Sequence, residues 1–233
     1  MSDRYGFLLV DKPRDWTSHD VVAKLRGITG IRKIGHAGTL DPMATGLLVV
    51  GIGRATKQLA SITGQTKAYE AEITLGAVSD TDDAEGAVTP RQHVHEPELA
   101  DVVRALEGFQ GTLQQLPPAY AAIKHQGRKL YELARAGREV PREPRTVVVH
   151  ELILDTYSWP RVQFRCVVSK GTYIRALARD IGEQLECGGY LSALRRTAIG
   201  NFDVSDAVSI DELQKGWEAH VLADSKIKQD VVE

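Results

Sequence analysis

Cysteine is almost absent from this 233-residue chain: Cys166 and Cys187 are the only two, too few for a disulfide framework or a zinc knuckle. Such scarcity points to a reduced, cytoplasmic setting. No apolar run is long enough to cross a bilayer, and Met1-Ser2-Asp3-Arg4-Tyr5 lacks the features of a signal peptide. Internal repeats and low-complexity tracts are also missing. The seven histidines are scattered, and the one close pair, His93 and His95, has no further ligand pattern around it, so no metal site is expected. Neither sign of charge is in excess, with 29 Lys and Arg against 31 Asp and Glu. That balance argues mildly against a nucleic-acid binder. The distribution is uneven, however. Acids crowd Asp80 to Glu107 and Asp203 to Glu233, and bases crowd Lys24 to Lys33, Lys124 to Arg145 and Arg161 to Arg196. A folded chain of this kind can present a basic face while its average stays near neutral.

Three familiar phosphate and cation motifs fail on inspection. Gly30 and Gly35 have P-loop spacing, but His36-Ala37 stands where Lys and Ser or Thr are required. No strand–GxGxxG–helix fingerprint is found. Asp80-Thr81-Asp82-Asp83-Ala84-Glu85-Gly86 lacks the fifth-position acid or amide and the sixth-position glycine of an EF-hand, so it reads as an acidic turn.

What is present is a mixture of strand and helix patterns without a regular βαβ beat. Phe7 to Val10 reads as a strand closed at Asp11-Lys12-Pro13. Thr17 or Ser18 caps a helix with Val22 and Leu25 inward, stopped between Gly27 and Gly30. Gly46 to Gly53 is a buried strand, Thr56 to Thr63 a short helix, and Tyr69 to Leu75 a half-buried strand with Tyr69, Ala71, Ile73 and Leu75 on one face. Glu96-Pro97-Glu98 opens a helix striped by Leu99, Val102, Val103 and Leu106. Arg128 to Ala136 reads as a short basic helix. Thr146 to Val149 and Arg161 to Ser169 are strands, and Ile174, Leu177, Ala178, Ile181 and Leu185 share a helix face. The expected class is α+β, with a mixed, mostly antiparallel sheet flanked by helices and loops.

Between the first helix and the buried strand lies Gly35-His36-Ala37-Gly38-Thr39-Leu40-Asp41-Pro42-Met43-Ala44-Thr45-Gly46. It sets one carboxylate, Asp41, in a glycine-rich turn beside Pro42, with Arg32, Lys33 and His36 upstream. One acid on a rigid loop among bases suits chemistry on an anionic substrate. This stretch resembles the signature of the TruB family of tRNA pseudouridine synthases, and the resemblance runs over almost the whole chain. It continues in Leu9-Val10-Asp11-Lys12-Pro13, Ala55-Thr56-Lys57, Lys67-Ala68-Tyr69, Pro117 to Tyr131, Ser169 to Arg175, and Leu191 to Arg196.

The resemblance implies a pseudouridine synthase fold and isomerisation of the T-loop uridine of tRNA, position 55, by base flipping, glycosidic bond cleavage and rejoining through C5. It makes Asp41 the catalytic acid; a free aspartate is ionised at neutral pH and can act here as nucleophile or as base. Arg175 matches the arginine that pairs with that acid, and Tyr69 the tyrosine lying against the target base. The expected substrate contacts are His36, Gly38, Leu40, Asp83, Lys170 and Tyr173, with Lys12, Lys57 and Lys124 among the phosphate donors. Arg32, Arg128, Lys129, Arg195 and Arg196 join that basic set. No cofactor is called for. The expected partner is the T-arm of tRNA, with no membrane and no obligatory protein partner, and the protein acting as a monomer.

The family usually carries a PUA-type RNA-binding domain after the catalytic one. The segment 209–233 reads as a helical tail too short for it, so the expectation is a single catalytic domain over 1–233. A tRNA-binding folding factor using the same groove without turnover is the rival from another class. A pseudouridine synthase acting on another RNA, either stand-alone or guided in a way similar to dyskerin, is the rival within it.

Overall fold

The computed structural model describes residues 5–120 and 142–223, together with the backbone of 124–125 and 128–129. The first elements are β1 (Gly6–Lys12), α1 (Ser18–Thr29), β2 (Ile34–Ala37), β3 (Thr45–Ile52), α2 (Leu59–Thr63) and β4 (Lys67–Leu75). Next come β5 (Ala77–Ser79), β6 (Val88–Pro90), α3 (Leu99–Gly108), β7 (Gly111–Gln115), β8 (Lys124–His125) and β9 (Arg128–Lys129). The last are β10 (Arg145–Ser158), β11 (Arg161–Val168), α4 (Ile174–Gln184), β12 (Gly189–Ile199), β13 (Phe202–Asp203) and α5 (Ile210–Gly216). Two compact units result, Met1–Tyr69 with Arg195–Glu233, and Glu70–Leu194. The fold is α+β, as the sequence pattern predicts.

In the first unit, β1 and β3 pair antiparallel from Gly6↔Ile52 to Lys12↔Gly46. β2 also runs antiparallel to β3, whereas the end of β12 runs parallel to it through Arg195↔Thr45 and Arg196↔Gly46. Leu8, Val10, Leu48 and Val50 join one core with Val21, Val22 and Leu25 of α1 and Leu213 of α5. Phe7, Leu9, Leu47 and Val49 join a second with Leu59, Ile62, Ile199 and Phe202. Burial on both faces is why these strands read as unbroken apolar runs instead of alternating ones.

α1 opens with a capping box between Thr17 and Asp20, a device worth about 1 kcal/mol. A second one, between Ser209 and Glu212, opens α5. The segment after β13 is built into this unit. Val208 exchanges backbone bonds with Leu9 and Asp11 (3.0 Å each), and Leu222 with Phe7 (2.8 and 2.9 Å). Bonds of this kind occupy edge groups of β1 that would otherwise stay unpaired.

In the second unit the strand order is β12, β4, β11, β10, β7, with β10 antiparallel to both β11 and β7. Here one face is buried, by Ala71 and Ile73 of β4, Val147, Val149 and Leu152 of β10, and Phe164, Cys166 and Val168 of β11. The other carries a polar network: Ser192 Oγ donates to Glu72 Oε1 (2.8 Å), and Gln163 Nε2 to Glu72 Oε2 (3.0 Å). That one-sided burial produces the alternation seen in β4 and β11. Cys166 and Cys187 are both free and buried. Burial pushes the Cys166 thiol up to about 12, and burial likewise pushes up Cys187, so neither is a reactive thiolate at neutral pH.

Two expectations are corrected here. Leu99 is 57% exposed and does not belong to the buried stripe of α3, which is Val102, Ala105 and Leu106. It is the first residue of the helix, one turn short of the core. Arg128 does not begin a helix: Arg128 and Lys129 pair antiparallel with His125 and Lys124. The rest of that expected helix lies outside the described residues.

Candidate active site

Because β2 and β3 form an antiparallel pair ending at Ala37↔Val49, the glycine-rich stretch 38–44 is the loop of a hairpin. Asp41 heads a turn in that loop, its carbonyl accepting from the Ala44 N–H (3.1 Å). The segment from Lys12 to Ser18 cradles it. Ser18 Oγ accepts from the Leu40 N–H (2.8 Å), and the Pro42 carbonyl accepts from the Asp15 N–H (2.9 Å) and from Lys12 Nζ (3.2 Å). Two stretches far apart in the sequence signature, Leu9–Pro13 and Gly35–Leu48, are therefore one local structure. The carboxylate-bearing residue is fixed by backbone bonds on both sides, as a pre-organised group requires.

This geometry reassigns Lys12. Read from the sequence as a phosphate donor, it is fully buried, and its ammonium donates to the carbonyls of Pro13, Trp16 and Pro42. A buried ammonium with carbonyl acceptors on several sides is a tie within the protein. Arg196 changes role in the same way. It is 1% exposed, with Nε donating to the Leu47 carbonyl (2.8 Å) and Nη2 to the Gly38 carbonyl (3.0 Å). Burial lowers the pKa of its guanidinium, and the Tyr69 side chain opposes that shift. Tyr69 is buried on β4, 8% exposed. Arg195, the next residue along, pairs through both of its terminal nitrogens with Asp11 (3.0 and 2.8 Å). Of the basic set, Arg32 and Lys57 remain exposed in this unit.

His36 sits half-buried on β2, and its Nδ1 is buried with no hydrogen-bond partner among the described residues. Burial lowers its pKa, and the Arg196 charge lowers it further, with a Gly38 backbone bond opposing both. A neutral, flat imidazole results. Since the folded state holds the proton less tightly than the unfolded one, the unfolded chain binds more protons below the ordinary value of 6.5. Stability therefore rises with pH through that window. A series of melting curves between about pH 5 and 7 should show the rise in the wild type and a shallower one in His36→Gln.

In the second unit the groups gather on the acidic turn. Arg175 and Arg179, one helical turn apart on α4, reach consecutive acids: Arg175 Nη1 lies 3.3 Å from Asp83 Oδ2, and Arg179 Nη1 donates to Asp82 Oδ2 (2.8 Å). Arg175 also donates to the Thr81 carbonyl (3.0 Å). Asp83 is 2% exposed, and its Oδ1 accepts from Thr81 Oγ1 (2.6 Å) and the Glu85 N–H (3.0 Å). Burial pushes the Asp82 carboxyl above its usual range against the pull of Arg179 and Arg175. Tyr173, the residue before α4, has its N–H held by Gln115 Oε1 (2.8 Å) and its carbonyl by Gln115 Nε2 (3.1 Å).

Lys170 is exposed. Lys124 is placed on β8 by its backbone, its side chain lying outside the described residues. Arg179 and Gln115 were missed in the sequence. The i,i+4 spacing of two arginines after an acidic turn was the available signal for the first, and nothing local marks the second. Among the described residues, no group of three His, Cys, Asp or Glu is placed to hold a metal ion, and no helix is long and apolar enough to cross a membrane.

Comparison with known proteins places this geometry in context. Residues 26–174 match the family described as TruB family pseudouridylate synthase, N-terminal domain, and residues 175–231 match the tRNA pseudouridylate synthase B C-terminal domain. A tRNA pseudouridine synthase B of Opitutus terrae is 47% identical over 209 residues, 90% of this chain and 87% of that protein. One of Thermobifida fusca is 44% identical over 228 residues, 94% of this chain and 78% of its own. Among solved structures, a chain of a Cbf5-Nop10-Gar1 complex superposes with a TM-score of 0.73 at 28% identity, covering 98% of this chain and 57% of that one. A chain of an archaeal box H/ACA sRNP Nop10-Cbf5 complex gives 0.69 at 27% identity, over 91% and 54%. The chain thus spans a little over half the length of those solved chains.

Proposed function

Because the chain belongs to the TruB family of pseudouridylate synthases, we propose that it converts uridine to pseudouridine in tRNA, at position 55 of the T-loop. The observation that carries this reading is the Asp41 turn, an acid-bearing hairpin loop tied by Lys12, Asp15 and Ser18. In the proposed reaction the bond from C1′ of the ribose to N1 of the base breaks, the base turns, and C1′ bonds to C5. N1 gains a proton and C5 loses one, so atoms and charge balance.

Asp41 works on the nucleotide as nucleophile or as base. Tyr69 lies against the base, with Arg175 completing the catalytic set. Reaching the sugar and C5 requires the uridine out of its stack, at a cost of a few kcal/mol. Stacking and phosphate contacts offset that cost. Lys57 and Lys170, both exposed, are suited to those phosphate contacts. His36, Gly38 and Leu40 in the first unit, and Asp83 and Tyr173 in the second, are each proposed as substrate contacts, with His36 offering an uncharged ring. We infer action as a monomer in the cytoplasm, with tRNA the one partner the chemistry requires.

Loss of the C5 hydrogen gives the test. A tRNA transcript tritiated at uridine C5 should release label to water on incubation with the protein, and the modified nucleotide should map to the T-loop. Binding of tRNA without release would overturn the enzyme reading in favour of a folding factor. Release mapped elsewhere would overturn the assignment to position 55.

A further inference from the structure

We propose that Gln115 and Arg179 are positioning residues that clamp Arg175 in place for the reaction; this rests on the synthase reading above. Arg175 is the second residue of α4, in the first turn, where helix ends fray. Tyr173 stands at the capping position before it, and a phenol hydroxyl lies too far from its own backbone to act there as a Ser or Asp oxygen does. The start of α4 is held from outside instead. Gln115, the last residue of β7, is 3% exposed, and burying an amide is costly unless its polar atoms are bonded. Both ends are bonded, and to one residue. Its Oε1 accepts from the Tyr173 N–H (2.8 Å), and its Nε2 donates to the Tyr173 carbonyl (3.1 Å). This is the two-bond exchange that a residue of a paired strand would make. It fixes the backbone two residues before Arg175.

A second tie runs the opposite way. Arg179 Nη2 donates to the carbonyl of Leu116 (2.9 Å), the residue after Gln115. Residues 115 and 116 therefore hold α4 at 173 and again at 179, and Arg175 lies between the two ties. The same fork reaches the acidic turn, with Arg179 Nη1 on Asp82 Oδ2 (2.8 Å), while Arg175 Nη1 faces Asp83 Oδ2 (3.3 Å) and the Thr81 carbonyl (3.0 Å). The end of β7, the start of α4 and the acidic turn are thus joined around the Arg175 guanidinium. A planar guanidinium with rigidly disposed donors can span Leu116 and Asp82 together, which the single nitrogen of a lysine cannot. Gln115 and Arg179 do no chemistry themselves. They act through Arg175.

The experiment is a kinetic double-mutant cycle of Gln115→Met and Arg175→Lys, with Arg179→Lys alongside, read by tritium release under saturating and limiting tRNA. Methionine keeps nearly the same volume and removes both bonds to Tyr173. Gln115→Met should lower kcat by about tenfold or more with KM within about threefold. In the Arg175→Lys background the same change should cost less than about threefold, because the residue it acts through is already altered. Arg179→Lys should lower kcat by about threefold or more. Gln114→Ala, at the exposed neighbour whose amide meets Thr146, should leave turnover unchanged. Additive losses in the cycle, a change confined to KM, or an equal fall in Gln114→Ala would overturn the proposal.

Should Gln115→Met fail to fold, Arg179→Lys decides, since Arg179 is part-exposed and its loss is the milder one. Amide hydrogen exchange over residues 174–179 should then run about tenfold or more faster than in wild type, with exchange in α1 unchanged. Exchange equal to wild type would overturn the proposal. A wild-type protein without turnover would overturn the synthase reading and with it a role in that reaction. The exchange rates would still report whether the clamp holds the start of α4.

Discussion

Asp41→Asn should reduce tritium release from tRNA by roughly four orders of magnitude, the scale on which removal of a reacting group is felt. The substitution is nearly isosteric. The ties of this loop described above are made through backbone atoms of Gly38, Leu40, Asp41 and Pro42, to Arg196, Ser18, Ala44, Asp15 and Lys12, and asparagine leaves them in place. What it removes is a carboxylate able to attack carbon or accept a proton, since an amide does neither at neutral pH. The melting temperature should change little and tRNA affinity should stay within a few-fold. Those two controls separate a chemical role from a folding one. Retention of a tenth of the wild-type rate would exclude Asp41 from the chemistry.

The turn around Asp41 was legible in the sequence because Gly, Pro and Asp each leave a local mark on the backbone. What holds the turn was not. Lys12 sits in a motif of its own, and as a side chain it reads as one of several basic residues suited to phosphate. Only the fold shows its ammonium facing the Pro42 carbonyl.

The strands followed the same division. β4 and β11 alternate because one face of their sheet is buried, and β1 and β3 are continuous runs because both faces are. β12 escaped notice: Ser192, Arg195 and Arg196 interrupt its apolar pattern, each with a partner supplied from elsewhere in the chain. β10 runs to Ser158, well past its apolar start, with register shifts between Val149 and Glu151 and between Leu154 and Thr156 that break the period of two. Polar side chains inside strands are tolerated where tertiary partners exist, and local pattern carries no record of those partners.

Two glycine substitutions of opposite expected sign test the packing around the loop. Gly46 has φ +95°, and an added Cβ would lie 2.3 Å from the Arg196 carbonyl oxygen and 2.9 Å from its nitrogen. Both are backbone atoms of a paired strand, so no side-chain rotation relieves the contact. Gly46→Ala must either separate β3 from β12 at the Arg196↔Gly46 pair or adopt a strained dihedral in addition. A loss of about 3 kcal/mol is expected, seen as a fall in melting temperature of roughly 6–12 °C in a chain of this size. Because Arg196 moves with its backbone, turnover should fall in the fraction that stays folded.

Gly27 is the counter-case. It is exposed within α1, and an added Cβ there meets nothing within 4 Å. Alanine removes the backbone entropy that glycine carries into a helix, so Gly27→Ala should stabilise by about 0.5–1 kcal/mol and leave turnover unchanged. Thermal melts of the two variants beside wild type decide the matter. A drop for Gly46→Ala with a rise for Gly27→Ala is the signature of close backbone approach at β3. An unchanged melting temperature for Gly46→Ala would mean that the β3–β12 contact can open without cost, and that Arg196 does not hold the loop through it.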